Sequence, residues 1–267
     1  MNIIGIDAGS SLIKIVEVNE EKNIINKIFL EKMPIKEALD IFIKKYNINL
    51  SNIKKIVLTG VGVGEIDKNF YNIQTTKVDE FIAIGTGGAF LTNKKEALII
   101  SVGTGTAFVR IKENCITHIG GTGVGGGAFF NLCKTLTNEY EIDKIKELIN
   151  NGNINNVNFT IQDVSTKDIK TLPKDITAVN CGKLTKQTEK EDVVLGILNM
   201  VIETIGMMAA FAVQNQTCKE VVLIGNIITF PKVEEILKKI ETIQNIKFIV
   251  PQHAEFGTIL GAIQKSD

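Results

Sequence analysis

The sequence predicts an α/β protein made of two similar lobes with a ligand cleft between them. Three observations carry this reading. An apolar strand ending in a glycine-bearing turn occurs twice, as Gly5-Ile-Asp-Ala-Gly9-Ser-Ser and as Val102-Gly103-Thr-Gly105-Thr. Around each turn the order strand, turn, strand, strand, helix repeats, and a repeated β-rich unit with helical cover implies two comparable lobes. A glycine-dense segment, Gly120 to Phe130, places six glycines in eight positions just ahead of Ala128 to Leu136, which has helical apolar spacing. That many glycines oppose both a helix and a packed strand. A glycine loop that feeds a helix start offers free backbone N–H groups and a positive dipole end to phosphate.

The elements follow in order. Ile3 to Asp7 and Leu12 to Val18 read as strands joined by the tight turn Ala8-Gly9-Ser10-Ser11, and Ile24 to Leu30 as a third strand. Pro34 opens a helix with Ala38, Leu39, Ile41, Phe42 and Tyr46 on one face. Ile53 to Thr59 is a buried strand, followed by glycine turns at Gly60, Gly62 and Gly64; Ile73 to Val78 is a short strand, and Asp79 to Leu91 a helix despite Gly85, Gly87 and Gly88. The pattern restarts with strands at Ala97 to Val102 and Ala107 to Lys112, and Cys115 to Ile119 is a candidate third. After the glycine loop and its helix, the polar stretch Asn150 to Thr171 predicts loops and short helices forming an insertion. Glu191 to Gln216 is a long apolar helix. Strands at Val221 to Ile224 and Ile246 to Val250 alternate with helices at Pro231 to Ile243 and Ala254 to Lys265. The natural division is a first lobe of 1–95 and a second of 96–267, with the cleft at their junction.

Composition narrows the class. The chain has 267 residues, 44% hydrophobic and 22% charged, enough for a large core and two lobes. Lys+Arg and Asp+Glu both number 30, so no basic excess points to nucleic acid. The four cysteines, Cys115, Cys133, Cys181 and Cys218, form no CxxC pair, which speaks against a zinc or thioredoxin-type motif. Reduced thiols of a cytoplasmic protein are the expectation. The N-terminus starts on a strand with no basic leader. Val193 to Val213 is apolar, but Asn199, Glu203 and Thr204 interrupt it, and a charge at bilayer centre costs roughly 2.5–3.5 kcal/mol. A helix buried at a domain or subunit interface is expected, with no membrane partner.

The residues with chemistry cluster at the turns. Asp7 ends the first strand beside Gly9, Ser10, Ser11 and Lys14. The turn offers N–H groups and hydroxyls to a phosphate, Lys14 adds a point charge, and Asp7 suits Mg²⁺ directly or through water; a plain hairpin with solvent-facing Asp and Lys is the competing reading. Thr104 and Thr106 sit in the matching second turn, and the two turns facing each other would clamp one nucleotide. Gly121, Gly123 and Gly126 spell G-x-G-x-x-G, but hairpin-like strands precede them where a parallel βαβ unit is required. No Walker A sequence is present. Glu80, at a helix start, could accept a proton from a substrate hydroxyl; a favourable first-turn acid is the alternative, and Asp79 competes for the role. His118 lies two residues before the glycine loop.

Together these segments resemble the acetate kinase/sugar kinase/Hsp70/actin superfamily and, within it, the type II pantothenate kinases. Gly5 to Lys14 is similar to the first phosphate motif, and Val102 to Thr106 to the second. Gly120 to Leu136 resembles the adenine-side loop and helix, while Ala178-Val-Asn-Cys-Gly182 and Val221 to Gly225 resemble further family segments. The resemblance implies a duplicated actin-like ATPase fold of ribonuclease H-like lobes, and ATP- and Mg²⁺-dependent phosphorylation of pantothenate. It implies Glu80 as base and Asp7 as metal ligand. Asp7, Ala8, Gly9, Ser10, Ser11, Leu12, Ile13 and Lys14 would surround the phosphates. Thr104 would face phosphate or substrate. Gly126, Gly127, Ala128, Phe129, Phe130, Ile142 and Asn226 would lie by the nucleotide. It further implies a homodimer, with the helix containing Glu203 as interface. One departure stands out: His118 occupies a position where the family carries a substrate-contacting arginine, so one imidazole donor replaces five guanidinium donors. A pantothenate analogue or another small hydroxylated acid stays open as acceptor. So do a sugar or N-acetylhexosamine kinase, a dehydratase-activating ATPase and a nucleotide-binding regulator.

Overall fold

The computed structural model describes residues 1–64, 69–113, 115–167, 169 and 173–266. The first half forms strands β1 (Asn2–Ala8), β2 (Leu12–Val18) and β3 (Ile24–Glu31), helix α1 (Ile35–Tyr46), β4 (Ile53–Thr59), β5 (Thr75–Lys77) and α2 (Glu80–Thr92). The second continues with β6 (Glu96–Val102), β7 (Thr106–Lys112), β8 (Cys115–Thr122), α3 (Gly126–Thr137) and α4 (Ile142–Asn151). Next come β9 (Phe159–Thr160), α5 (Ile161–Val164), β10 (Thr177–Val179), α6 (Lys190–Val213), β11 (Glu220–Gly225), α7 (Val233–Ile243), β12 (Lys247–Ile249) and α8 (Gly257–Lys265).

Two five-stranded sheets have the same plan. The orders are β3-β2-β1-β4-β5 and β12-β11-β6-β7-β8. In each, a three-stranded antiparallel meander is extended by two strands parallel to its first. The duplication expected from the sequence is thus present, strand for strand. β1 is apolar and buried almost throughout because both faces of its sheet are covered, whereas the edge strand β3 alternates half-buried and exposed positions. A two-stranded ribbon, β9 with β10, stands apart.

The helices make three layers. α1 covers the outer face of the first sheet, packing Ala38, Leu39 and Phe42 on Ile4, Ile6, Ile13 and Ile15. α3, α4, α6 and α7 cover the outer face of the second, where Phe129, Ile145, Leu198 and Leu237 meet Leu98, Ile100 and Leu223. Between the sheets lie α2 and α8. The last helix, α8, returns to the first sheet, with Ile259 and Ile263 against Val16 and Val57, while Ile84 of α2 packs on Ile99, Val109 and Ile224 of the second. The glycines of α2 are required here. A Cβ on Gly87 would lie 2.7 Å from the Gly257 carbonyl carbon, and one on Gly261 would lie 2.7 Å from the Gly87 Cα, so the two helices touch backbone to backbone.

Several expectations are corrected. The glycine segment is shorter than the sequence suggests. Gly120 and Gly121 belong to β8, paired with Phe108 and Ala107, and Gly126 and Gly127 form the first turn of α3. Tertiary pairing and packing outweigh the intrinsic cost of glycine there. α4 was not expected; its Ile145 and Ile149 are buried at a helical spacing. It precedes the stretch read as an insertion and overlaps it only at Asn150 and Asn151; of that stretch, 168 and 170–171 lie outside the described residues. α6 is long and apolar enough to cross a membrane by length and composition, but 72% of its apolar window is buried in the protein. Its polar interruptions have partners: Asn199 Nδ2 donates to Asn180 Oδ1 at 2.9 Å, and Asn180 Nδ2 donates to Glu203 Oε2 at 2.7 Å.

Candidate functional site

Three strand ends of the first sheet and the corresponding turn of the second converge. Asp7 stands at the end of β1, in register with Lys14 on β2 and Thr59 on β4. The hairpin between β1 and β2 is closed by the Gly9 N–H donating to the Leu12 carbonyl at 2.9 Å, leaving Ser10 and Ser11 exposed at its tip. Lys14 Nζ lies 3.7 Å from the Asp7 carboxylate and donates to the Glu255 carbonyl at 3.0 Å, just ahead of α8. Burial pushes the Asp7 carboxyl up from its ordinary value, and Lys14 pulls it part of the way back. After β4 the chain turns on Gly60 (φ +101°), whose missing side chain leaves room for Asp7: a Cβ there would lie 2.7 Å from Asp7 Oδ1. The Gly62 N–H donates to the Ala8 carbonyl at 2.8 Å and holds the turn against the end of β1.

The first turn of α2 separates the roles of its two acids. Asp79 caps the helix; its Oδ1 accepts from the Phe81 and Ile82 N–H groups at 2.9 and 3.0 Å. Glu80 is half-buried and pairs with the Val61 backbone amide. Burial first, then the charges of Asp7 and Asp79, push its carboxyl above the usual carboxylate range. That is the direction that suits a general base. Next to it, the Phe81 ring stacks on the His118 imidazole, with centroids 3.9 Å apart and planes within 16°. The stack ties the acid-bearing turn to β8.

The two matching turns meet. Thr104 Oγ1, in the β6–β7 turn, donates to Ser11 Oγ at 3.0 Å across the junction of the sheets. The glycine loop backs this turn, but not in the way its composition suggests. The Gly126 and Gly127 N–H groups, which the sequence offers to phosphate, donate instead to the Gly103 and Thr104 carbonyls at 2.8 and 2.9 Å. Gly125 is required by that closeness, since a Cβ would lie 2.8 Å from the Thr104 carbonyl oxygen. The loop therefore fixes Thr104 in place. Gly225 (φ +125°) lets β11 turn tightly against Val102. Asn226 follows it, and its neighbour Ile227 approaches the start of α3.

The remaining predicted residues are placed unequally. Ile13 and Phe129 are buried in the core, so only their backbones can meet a ligand. Ala8 is buried as well, while Leu12, Ala128 and Phe130 are partly exposed. Ile142 is the exposed first residue of α4. Sequence reasoning assigns no role to Thr59, the Gly60 turn, Phe81 or Glu255. The Thr-Gly pair ending an apolar strand was the visible signal for the first two.

Does the site fit Mg²⁺? Among the described residues no cluster of three or more His, Cys, Asp or Glu could hold a metal alone. Mg²⁺ at a phosphate site uses one or two carboxylates, retained waters and phosphate oxygens. One buried acid, Asp7, and a second, Glu80, whose carboxyl is raised in part by the Asp7 charge, match that demand.

Comparison with known proteins places the chain in a family. The Fumble family profile matches residues 96–245, more than half of the chain. The chain belongs to the Fumble family. This is the family of the type II pantothenate kinases, and the protein is a kinase phosphotransferase. It is 28% identical to the type II pantothenate kinase of Oceanobacillus iheyensis, over 86% of each chain. It is 24% identical to that of Staphylococcus aureus, over 97% of each. Among solved structures it resembles the activator of the 2-hydroxyisocaproyl-CoA dehydratase from Clostridium difficile with bound ADPNP. There the TM-score is 0.67 at 17% identity, covering 98% of this chain and 92% of that one. This Fumble-family protein thus has the actin-like two-lobe fold.

Proposed function

We propose that the protein transfers the terminal phosphoryl group of ATP to the hydroxyl of pantothenate, giving phosphopantothenate at the entrance to coenzyme A biosynthesis. The observation that carries this is the meeting of the two turns at Ser11 and Thr104, 3.0 Å apart, together with a half-buried carboxylate, Glu80, that feels the Asp7 charge and does not cap its helix because Asp79 does. Ser10, Ser11 and Thr104 would hold phosphate oxygens, with Lys14 turning from Asp7 toward the added charge. Asp7 would hold Mg²⁺, which neutralises phosphate charge when bound. Glu80 would accept the hydroxyl proton, and Thr104 and His118 would face the acceptor. Gly126 to Phe130, Ile142 and Asn226 would lie on the nucleotide side. Positioning and charge stabilisation supply most of the acceleration in such transfers.

The two lobes would divide at 95/96, exchanging α2 and α8 across the cleft. The cytoplasm is the proposed location. A homodimer through α6, where Phe211 is 64% exposed, would match the family expectation. The test is incubation with Mg·ATP and pantothenate, followed by mass spectrometry for phosphopantothenate. ADP release with a sugar and none with pantothenate would overturn the assigned acceptor.

A further inference from the structure

The roles above leave one side chain of the site unused. Thr59 is fully buried, and its hydroxyl is the only buried side-chain nitrogen or oxygen among the described residues without a hydrogen-bond partner. Unpaired buried hydroxyls are costly and rare in native proteins, and each calls for a reason.

Its position supplies one. In the parallel β1–β4 pair, Thr59 is in register with Asp7. Side chains alternate along a strand. Gly5 faces Ile259 and Ile263 of α8, and Val57 packs in the same cluster, so Asp7 and Thr59, each two residues on, share the face toward α2 and α8. Neighbouring strands lie about 4.8 Å apart. One water making two hydrogen bonds of about 2.8 Å spans about 5.5 Å between oxygens. Side chains on such a pair are close enough to share a single water. Gly60 lies close against the Asp7 carboxylate, where a Cβ would come within 2.7 Å of Oδ1.

We propose that the Thr59 hydroxyl and the Asp7 carboxylate together hold one water of the hydrated divalent cation that accompanies the nucleotide. Thr59 is thus a positioning residue for the cation. A carboxylate only accepts, whereas a hydroxyl both donates and accepts, so the two together orient a water that neither fixes alone. Mg²⁺, which gives up its waters reluctantly, suits such indirect holding. The inference rests on the nucleotide reading of the site.

The test uses the full chain as Thr59→Val and Thr59→Ser, with Thr59→Ala should the valine variant fail to fold. Calorimetry measures binding of a non-hydrolysable ATP analogue with Mg²⁺ and again in EDTA; thermal melts are run without ligand. Thr59→Val is expected to weaken binding with Mg²⁺ about tenfold, the scale of one hydrogen bond to a charged system. Binding in EDTA stays unchanged, the ligand-free melting temperature holds or rises, and Thr59→Ser behaves as wild type. Unchanged affinity with Mg²⁺ overturns the proposal and leaves the nucleotide reading intact. Equal losses with and without Mg²⁺, together with a lower ligand-free melting temperature, make Thr59 structural and also overturn it. A wild-type protein that binds no analogue removes the nucleotide reading, and this inference with it.

Discussion

The contact between α2 and α8 is the joint on which the site depends, and Gly261→Ala should break it. The added methyl would lie 2.7 Å from the Gly87 Cα and closer still to the Ala83 carbonyl oxygen, where ordinary contact begins at 3.4 Å. The helices would have to separate by about 0.7 Å or more, and both obstacles are backbone, so no side chain can turn aside to absorb the strain. Overpacking of this kind costs about 1–3 kcal/mol, occasionally more. Alanine recovers about 1 kcal/mol of helix propensity. With rigid backbone on both sides the upper figure applies, leaving a net loss of about 2 kcal/mol. For a chain of this size that lowers the melting temperature by about 4–8 °C. Because Glu80 begins the same helix two turns before Gly87, turnover should also fall. Urea unfolding, thermal melts and steady-state kinetics measure both effects. Gly123→Ala is the control, because no atom lies within 4 Å of its added Cβ. Gly261→Ala with wild-type stability and turnover would refute the backbone-contact argument.

Other expectations concern the charged groups. Glu80→Gln should reduce kcat by about 10²–10⁴-fold, the usual worth of a positioned base, while nucleotide affinity stays; near-normal turnover would remove Glu80 from that role. Asp79→Asn keeps a capping oxygen for Phe81 and Ile82 but removes a charge that raises the Glu80 pKa, so the acid limb of the kcat/KM profile should move to lower pH. A limb that stays in place would assign the titration elsewhere. Glu203 is raised mainly by burial, with Asn180, Lys239 and Asn199 lowering it. A carboxyl raised in the folded state contributes stability that is complete below its unfolded value and lost as pH rises through the folded one. Glu203→Gln should therefore gain in urea midpoint over wild type as pH rises from about 4 to 8; a constant difference across that range would refute the cause.

Much of this protein was legible along the chain. Alternation and apolar runs located the strands, and Gly9, Gly60 and Gly103 marked the turns after β1, β4 and β6. The repeated strand–glycine turn makes the duplication visible in the sequence. These signals are local: they report backbone freedom and which faces can be buried, and a short window contains them. Other properties depend on what a residue meets across the fold. That α8 packs backbone to backbone on α2 depends on two glycines, Gly87 and Gly261, lying 174 positions apart in sequence yet in contact. That Asp79, and not Glu80, caps the helix follows from which carboxylate reaches the helix amides. The amides of Gly126 and Gly127 go to Gly103 and Thr104 because the turn and loop pack together, an outcome glycine content alone does not encode. Thr59 is an ordinary threonine in the sequence. Only the tertiary structure, by burying it beside Asp7 without a partner, makes it a residue with something left to bind.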